Sequence, residues 1–247
     1  MRELTTNGPT VREALLVIAD IRGYTPFMKA HWTSLAHAQD VVARLLEAVI
    51  DAAPSLTPLE IEGDAAFFYA WSTGAANEAE RLVEQVGAMH RAFHARQQEI
   101  ATLNSCRCEG CRQVGRLHVK FVADVGEVAV QRVKRSAKLA GLGVIRVHRM
   151  LKTAVPVSEY LLLTDALFDA SDGAVRARSR SIADDLPGLG PAAMHWIDLG
   201  DVASPPPPTP RVTRRAQIRE NAGVIWRSLP YLLGLRRPRV AARSLSG

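Results

Sequence analysis

The sequence predicts an α+β domain, an antiparallel-rich sheet covered by helices. Two observations carry that expectation. Short apolar segments come in pairs that meet at glycine-containing turns, and longer stretches with helical spacing of apolar residues separate the pairs.

Taken in order, Ala14 to Asp20 reads as a buried strand because it is continuously apolar up to its final carboxylate. Thr33 to Ala53 reads as a helix, with Leu35, Ala38, Val42, Leu45, Leu46 and Val49 on one stripe. Leu56 to Glu62 and Ala65 to Trp71 form a predicted hairpin turning at Glu62-Gly63-Asp64, followed by a long helix from Gly74 to Leu103. Leu117 to Asp124 and Glu127 to Val133 predict a second hairpin turning at Val125-Gly126. A helix from about Val144 to Lys152 and a strand at Tyr160 to Leu163 follow, with Trp71 and Trp196 as strand core.

At 247 residues and 47% hydrophobic content the chain is sized for one large core or two small ones, and its mean hydropathy of −0.01 fits a folded globular protein. No segment approaches the length of a membrane-spanning helix, and Met1 to Pro9 lacks a charged region followed by an apolar one, so a cytoplasmic protein is expected. The net charge of +6 is concentrated past Ser204, where nine arginines face a single acidic residue, Glu220, leaving the rest slightly acidic. The pI of 9.6 therefore describes an appendage with an anionic partner, not a nucleic-acid-binding fold. Ser204 to Pro210 is a stiff polyproline II spacer, because proline lacks the N–H that helix and sheet require. The expected organisation is a domain at 12–203 with a Cys-rich insertion at about 104–113, a linker at 204–210 and a basic, apolar tail at 211–247. Val224, Ile225, Trp226, Leu229, Tyr231, Leu232 and Leu233 among the tail's arginines suit an anionic membrane surface or a partner protein. A tail packed on its own domain, or disordered, is the alternative.

Chemistry concentrates at two strand ends. Leu16 to Asp20 runs into Ile21-Arg22-Gly23-Tyr24-Thr25, and Glu60-Ile61-Glu62 runs into Gly63-Asp64. A carboxylate beside a glycine loop can hold a divalent metal next to backbone N–H groups free for phosphate oxygens. Either aspartate alone is also ordinary turn chemistry. Together, Asp20-Ile21-x-Gly23-Tyr24-Thr25, Gly63-Asp64 and the segment Val144-Ile145-Arg146-Val147-His148-Arg149-Met150 resemble three motifs of the class III nucleotidyl cyclase catalytic domain. His148-Arg149-Met150-Leu151-Lys152 and the cysteine cluster also resemble a bacterial subfamily with a Cys-rich insertion.

The resemblance implies a ferredoxin-like core and a head-to-tail homodimer that cyclises a nucleoside triphosphate. Asp20, Asp64 and the Ile21 backbone would bind two Mg²⁺ or Mn²⁺ ions. Ile21, Gly23, Tyr24 and Thr25 would hold phosphates, Glu60 and Lys138 would sit at the base, and Arg149 would stabilise the developing phosphorane. It also marks two departures. The ribose-positioning Asn of the family falls at Ile145, which has no hydrogen-bonding group, and the late triphosphate lysine has no clear match. A degenerate domain that binds a nucleotide or a protein without turnover is therefore the second reading.

Cys106, Cys108 and Cys111 are the chain's only cysteines. Their spacing suggests three Zn²⁺ ligands, with His90, His94, His118 or a partner as the fourth; free thiols are the alternative. His31, His37 and His195 show no ligand spacing, and no Ser-His-Asp set, Walker loop or dinucleotide fingerprint is present.

Overall fold

The computed structural model describes residues 11–30, 35–75, 77–103, 113–133 and 136–200. The cysteine cluster, the proline linker and the basic tail lie outside the described residues. Strands β1 (Val11–Arg22), β2 (Thr57–Glu62), β3 (Ala65–Trp71), β4 (His118–Val133), β5 (Ser136–Ala140), β6 (Tyr160–Thr164), β7 (Arg180–Leu186) and β8 (Gly190–Asp198) make one eight-stranded sheet. Its order is β2-β3-β1-β4-β6-β8-β7, with β5 also on β4. Only the β4–β6 pairing is parallel. The helices are α1 (Tyr24–Ala30), α2 (Leu35–Asp51), α3 (Glu78–Leu103), α4 (Leu142–Met150), α5 (Asp165–Asp169) and α6 (Gly173–Arg178). This is the expected α+β arrangement.

β1 is apolar on both faces because both are covered. Leu15, Val17, Ala19 and Ile21 join α2 and α3 in one core, through Val42, Leu45, Val86, Met89 and Phe93. Ala14, Leu16 and Ile18 alternate onto the other face, where Val147 and Met150 of α4 pack. Asp20 is the next member of that second row. The period-2 geometry thus delivers the carboxylate to the α4 side of the sheet.

The expected hairpin at Val125-Gly126 is not formed. His118 to Val133 is one 16-residue strand, with Val125 opposite Leu15 and Gly126 opposite Ala14. A glycine within a strand costs about 0.5–1 kcal/mol relative to alanine. Turning there would strip the first residues of β1 of partners, at about 1 kcal/mol for each lost hydrogen bond, so continuity wins. The reversal falls later, between β4 and β5. Sequence periodicity also missed α1, α5, α6, β5, β7 and β8, the last carrying buried Trp196; Trp71, at the end of β3, is only partly buried.

Candidate active site

The β2–β3 hairpin turns through Gly63 and Asp64, with Glu62 paired to Ala65 and Gly63 at φ +62°. Asp20 pairs with Ala65 across β1–β3, which sets the two aspartates side by side. The Ile21 N–H donates to the Asp64 carbonyl oxygen at 3.0 Å and ties the strand end to the hairpin. That N–H is consequently taken, a correction to its expected role toward phosphate; the Ile21 carbonyl is the backbone group that suits a metal.

Asp20 and Asp64 open into a cleft also bordered by Ile18, Glu60, Glu62, Phe67 and His148. Burial, and next the charge of Asp20, raise the Asp64 pKa above its ordinary value. Two carboxylates under that mutual repulsion, with Glu60 and Glu62 at the rim, form a hard-oxygen donor set suited to Mg²⁺ or Mn²⁺. One residue here escaped sequence analysis. Lys120, opposite Asp20 in the β1–β4 register, places its Nζ 3.2 Å from Asp20 Oδ2 and donates to the Leu151 carbonyl at 2.8 Å. Its signal was one charged residue inside the apolar run Val119 to Ala123.

Gly23 takes φ +90°, and a Cβ there would lie 3.2 Å from the Arg116 carbonyl. That reversal starts α1 at Tyr24, whose hydroxyl accepts from Gln39 Nε2 at 3.0 Å, with Thr25 next along the helix. Glu60 and Lys138, the two positions assigned to the base, meet in a 3.2 Å ion pair although 78 residues separate them. On α4, His148 turns edge-on to Phe67 with ring centres 5.4 Å apart, at the cleft. Arg149 is half-buried and its side chain has no hydrogen-bond or ion-pair partner among the described residues, while Ile145, one turn earlier, is 46% exposed. Neighbouring Arg146 points inward instead, binding Asp124.

His90, His94 and His118 do converge, but on Glu159. His195 is not isolated: it accepts or donates at 2.8 Å with Asp165 and stacks on Phe168.

A relative in Mycobacterium tuberculosis (strain ATCC 25618 / H37Rv), the uncharacterized protein Rv2561/Rv2562, is 41% identical over 204 residues, which is 83% of this chain and 94% of the relative. The chain belongs to the family of that mycobacterial protein. Residues 42–160 also match a family model described as a protein of unknown function, DUF2652. The adenylyl cyclase CyaB from P. aeruginosa superposes with a TM-score of 0.60 at 14% identity, over 77% of this chain and 96% of that one. A class III adenylyl cyclase-like ATP-binding protein from Pseudomonas aeruginosa gives a TM-score of 0.59 at 17% identity, over 71% of this chain and 38% of that one. The fold is therefore that of the class III cyclase homology domain. Within this fold, the aspartate pair and Glu60 border one cleft together with His148 of α4, and Glu60 reaches out of it to Lys138.

Proposed function

We propose that the chain is a divergent class III nucleotide cyclase, a lyase that converts a nucleoside triphosphate into a 3′,5′-cyclic nucleotide and pyrophosphate. The proximity of Asp20 and Asp64, reached from separate strands, is the observation that carries this reading. In the reaction the ribose 3′-oxygen bonds to the α-phosphorus, the bond from that phosphorus to the bridging oxygen breaks, and the hydroxyl proton is released. Two divalent ions held by Asp20, Asp64 and the Ile21 carbonyl would acidify the 3′-hydroxyl and neutralise the triphosphate. The carboxylate-rich rim repels a bare triphosphate and admits its cation complex. Gly23, Tyr24 and Thr25 shape the loop beside the phosphates, and Glu60 with Lys138 contacts the base. A second copy, packed head to tail, would add Arg149; exposed Leu142 and Ile145 on α4 give it apolar surface to cover.

The test is incubation with ATP, GTP, CTP and UTP in turn, with Mg²⁺ or Mn²⁺, and mass spectrometry of the products. A cyclic nucleotide formed by the native chain and absent from Asp20→Ala supports the reading. No product from a folded dimer overturns it.

A second reading, nucleotide or protein binding without turnover, is favoured by two observations. Ile145 offers no hydrogen bond where the family positions the ribose, and the Lys120 ammonium already neutralises part of the charge on Asp20. Nucleotide binding by calorimetry without product, with turnover gained in Ile145→Asn, would select it. Elsewhere in the chain, we propose a Zn²⁺ site at Cys106, Cys108 and Cys111, and contact of the basic tail with an anionic membrane surface or protein. Comparing co-sedimentation of the full chain and of residues 1–203 with anionic vesicles tests the latter.

A further inference from the structure

The geometry points to a second metal centre, a transition-metal site of the zinc type built from His90, His94 and Glu159 without the cysteines. His90 and His94 stand four residues apart on α3 and so share one face. Glu159 precedes β6 and reaches both, with Oε2 at 3.0 Å from His90 Nε2 and Oε1 at 2.9 Å from His94 Nε2. The three ligand atoms lie within 4.8 Å of one another. Ligand atoms on one tetrahedral zinc stand about 3.3 Å apart for bonds of about 2.0–2.1 Å, so small side-chain rotations would seat the ion.

Gln97 fixes which ring nitrogen of His94 is left to face a metal. Its Nε2 donates to the carbonyls of Val114 at 2.8 Å and Leu117 at 2.7 Å, which fixes the amide and turns Oε1 toward His94 Nδ1 at 3.1 Å. That oxygen can only accept, so His94 carries its proton on Nδ1. In the neutral ring, Nε2 then directs its lone pair toward the side of Glu159, where a cation bound by both would lie. An imidazole whose far N–H is anchored to a carbonyl is the usual outer shell of a metal-bound histidine. The carboxylate is oriented in turn by the Val119 N–H at 3.2 Å.

His118 adds to this. Its Nδ1 is buried without a hydrogen-bond partner and lies 3.4 Å from Glu159 Oε1, on the same carboxylate though outside the group of three. Two imidazoles and a carboxylate, with a third imidazole at hand, favour Zn²⁺ and similar divalent ions over Mg²⁺ or Ca²⁺, which prefer oxygen alone. The site is independent of the cyclase reading, because it uses none of the cleft residues.

The experiment uses the full chain with Cys106→Ser, Cys108→Ser and Cys111→Ser combined, so that thiolates contribute nothing. After dialysis against micromolar Zn²⁺, one equivalent is expected by elemental analysis. Co²⁺ should give visible bands of a four- or five-coordinate N/O site. Adding His94→Ala should abolish binding, and adding Gln97→Met should weaken it by about 10–100-fold. No uptake of Zn²⁺ or Co²⁺ by the folded serine variant overturns the proposal, as does uptake that His94→Ala leaves unchanged. Should His94→Ala not fold, the Co²⁺ spectrum and stoichiometry of the serine variant decide by themselves.

Discussion

Replacing Arg146 by Met should cost the domain more as the pH rises. The Asp124 side chain is fully buried between β4 and α4, and Arg146 Nη1 reaches its two oxygens at 2.8 and 3.1 Å, while Thr164 Oγ1 donates at 2.9 Å. Burial pushes the Asp124 pKa up from its ordinary 3.8, more than the Arg146 charge and the two side-chain donors pull it down. Without Arg146 the only side-chain donor to that carboxylate among the described residues is Thr164, and stranding one member of a buried pair costs about 3–5 kcal/mol. Because the folded-state pKa lies above the unfolded one, the folded chain keeps a proton that the unfolded chain releases. Stability therefore falls as pH rises from 3.8 through the folded pKa and levels off above it. Below 3.8 the carboxyl is neutral in both states, and only lost hydrogen bonds and packing remain, about 1–2 kcal/mol. Urea unfolding of the native chain and Arg146→Met between about pH 4.5 and pH 8 measures this, and Asp124→Asn with Arg146→Met should erase the pH dependence. A loss below about 1 kcal/mol and flat with pH would refute the reasoning.

Other outcomes follow from the cleft. Lys120→Met leaves the two aspartates uncompensated and should tighten Mn²⁺ binding, measured by calorimetry; weaker binding would show that the ammonium organises the pair. Glu60→Gln and Lys138→Ala should shift preference among the four triphosphates while moving stability by less than about 1 kcal/mol, since both partners are well exposed. Gly23→Ala should destabilise by about 1–3 kcal/mol in urea, because φ +90° is strained for any side chain and its Cβ would press on Arg116. Asp64→Asn should abolish turnover without loss of stability, as it removes a carboxylate whose charged form burial already disfavours.

The sheet centre was legible because its residues follow a local rule. β1, β2, β3 and β6 announce themselves by apolar continuity or by a Gly-Asp turn. Motif resemblance singled out Asp20, Asp64, Glu60 and Lys138, which periodicity would have left as isolated charges, while the contact between Glu60 and Lys138 came only with the structure. What escaped depends on partners distant in sequence. Gly126 reads as a turn until β1 is known to run beside it, and Lys120 reads as a stray charge until Asp20 faces it. β7 and β8 form an edge hairpin whose mixed polar residues carry weak alternation. Glu159 gave no signal at all, since its ligand geometry exists only once α3 lies across the start of β4.

Between His118 and Asp124, a single strand carries the histidine beside Glu159, the lysine of the cleft and the anchor of α4. Side chains on a strand alternate, so deleting one residue there would send Lys120 into the apolar α2–α3 core and swing Phe121 toward the cleft. Substitutions can adjust these stations one at a time, whereas a change of length would misplace all of them together. Natural variants of this domain should therefore differ in length beyond the strand's far end, around residues 134–135, and keep the spacing from 118 to 124 fixed.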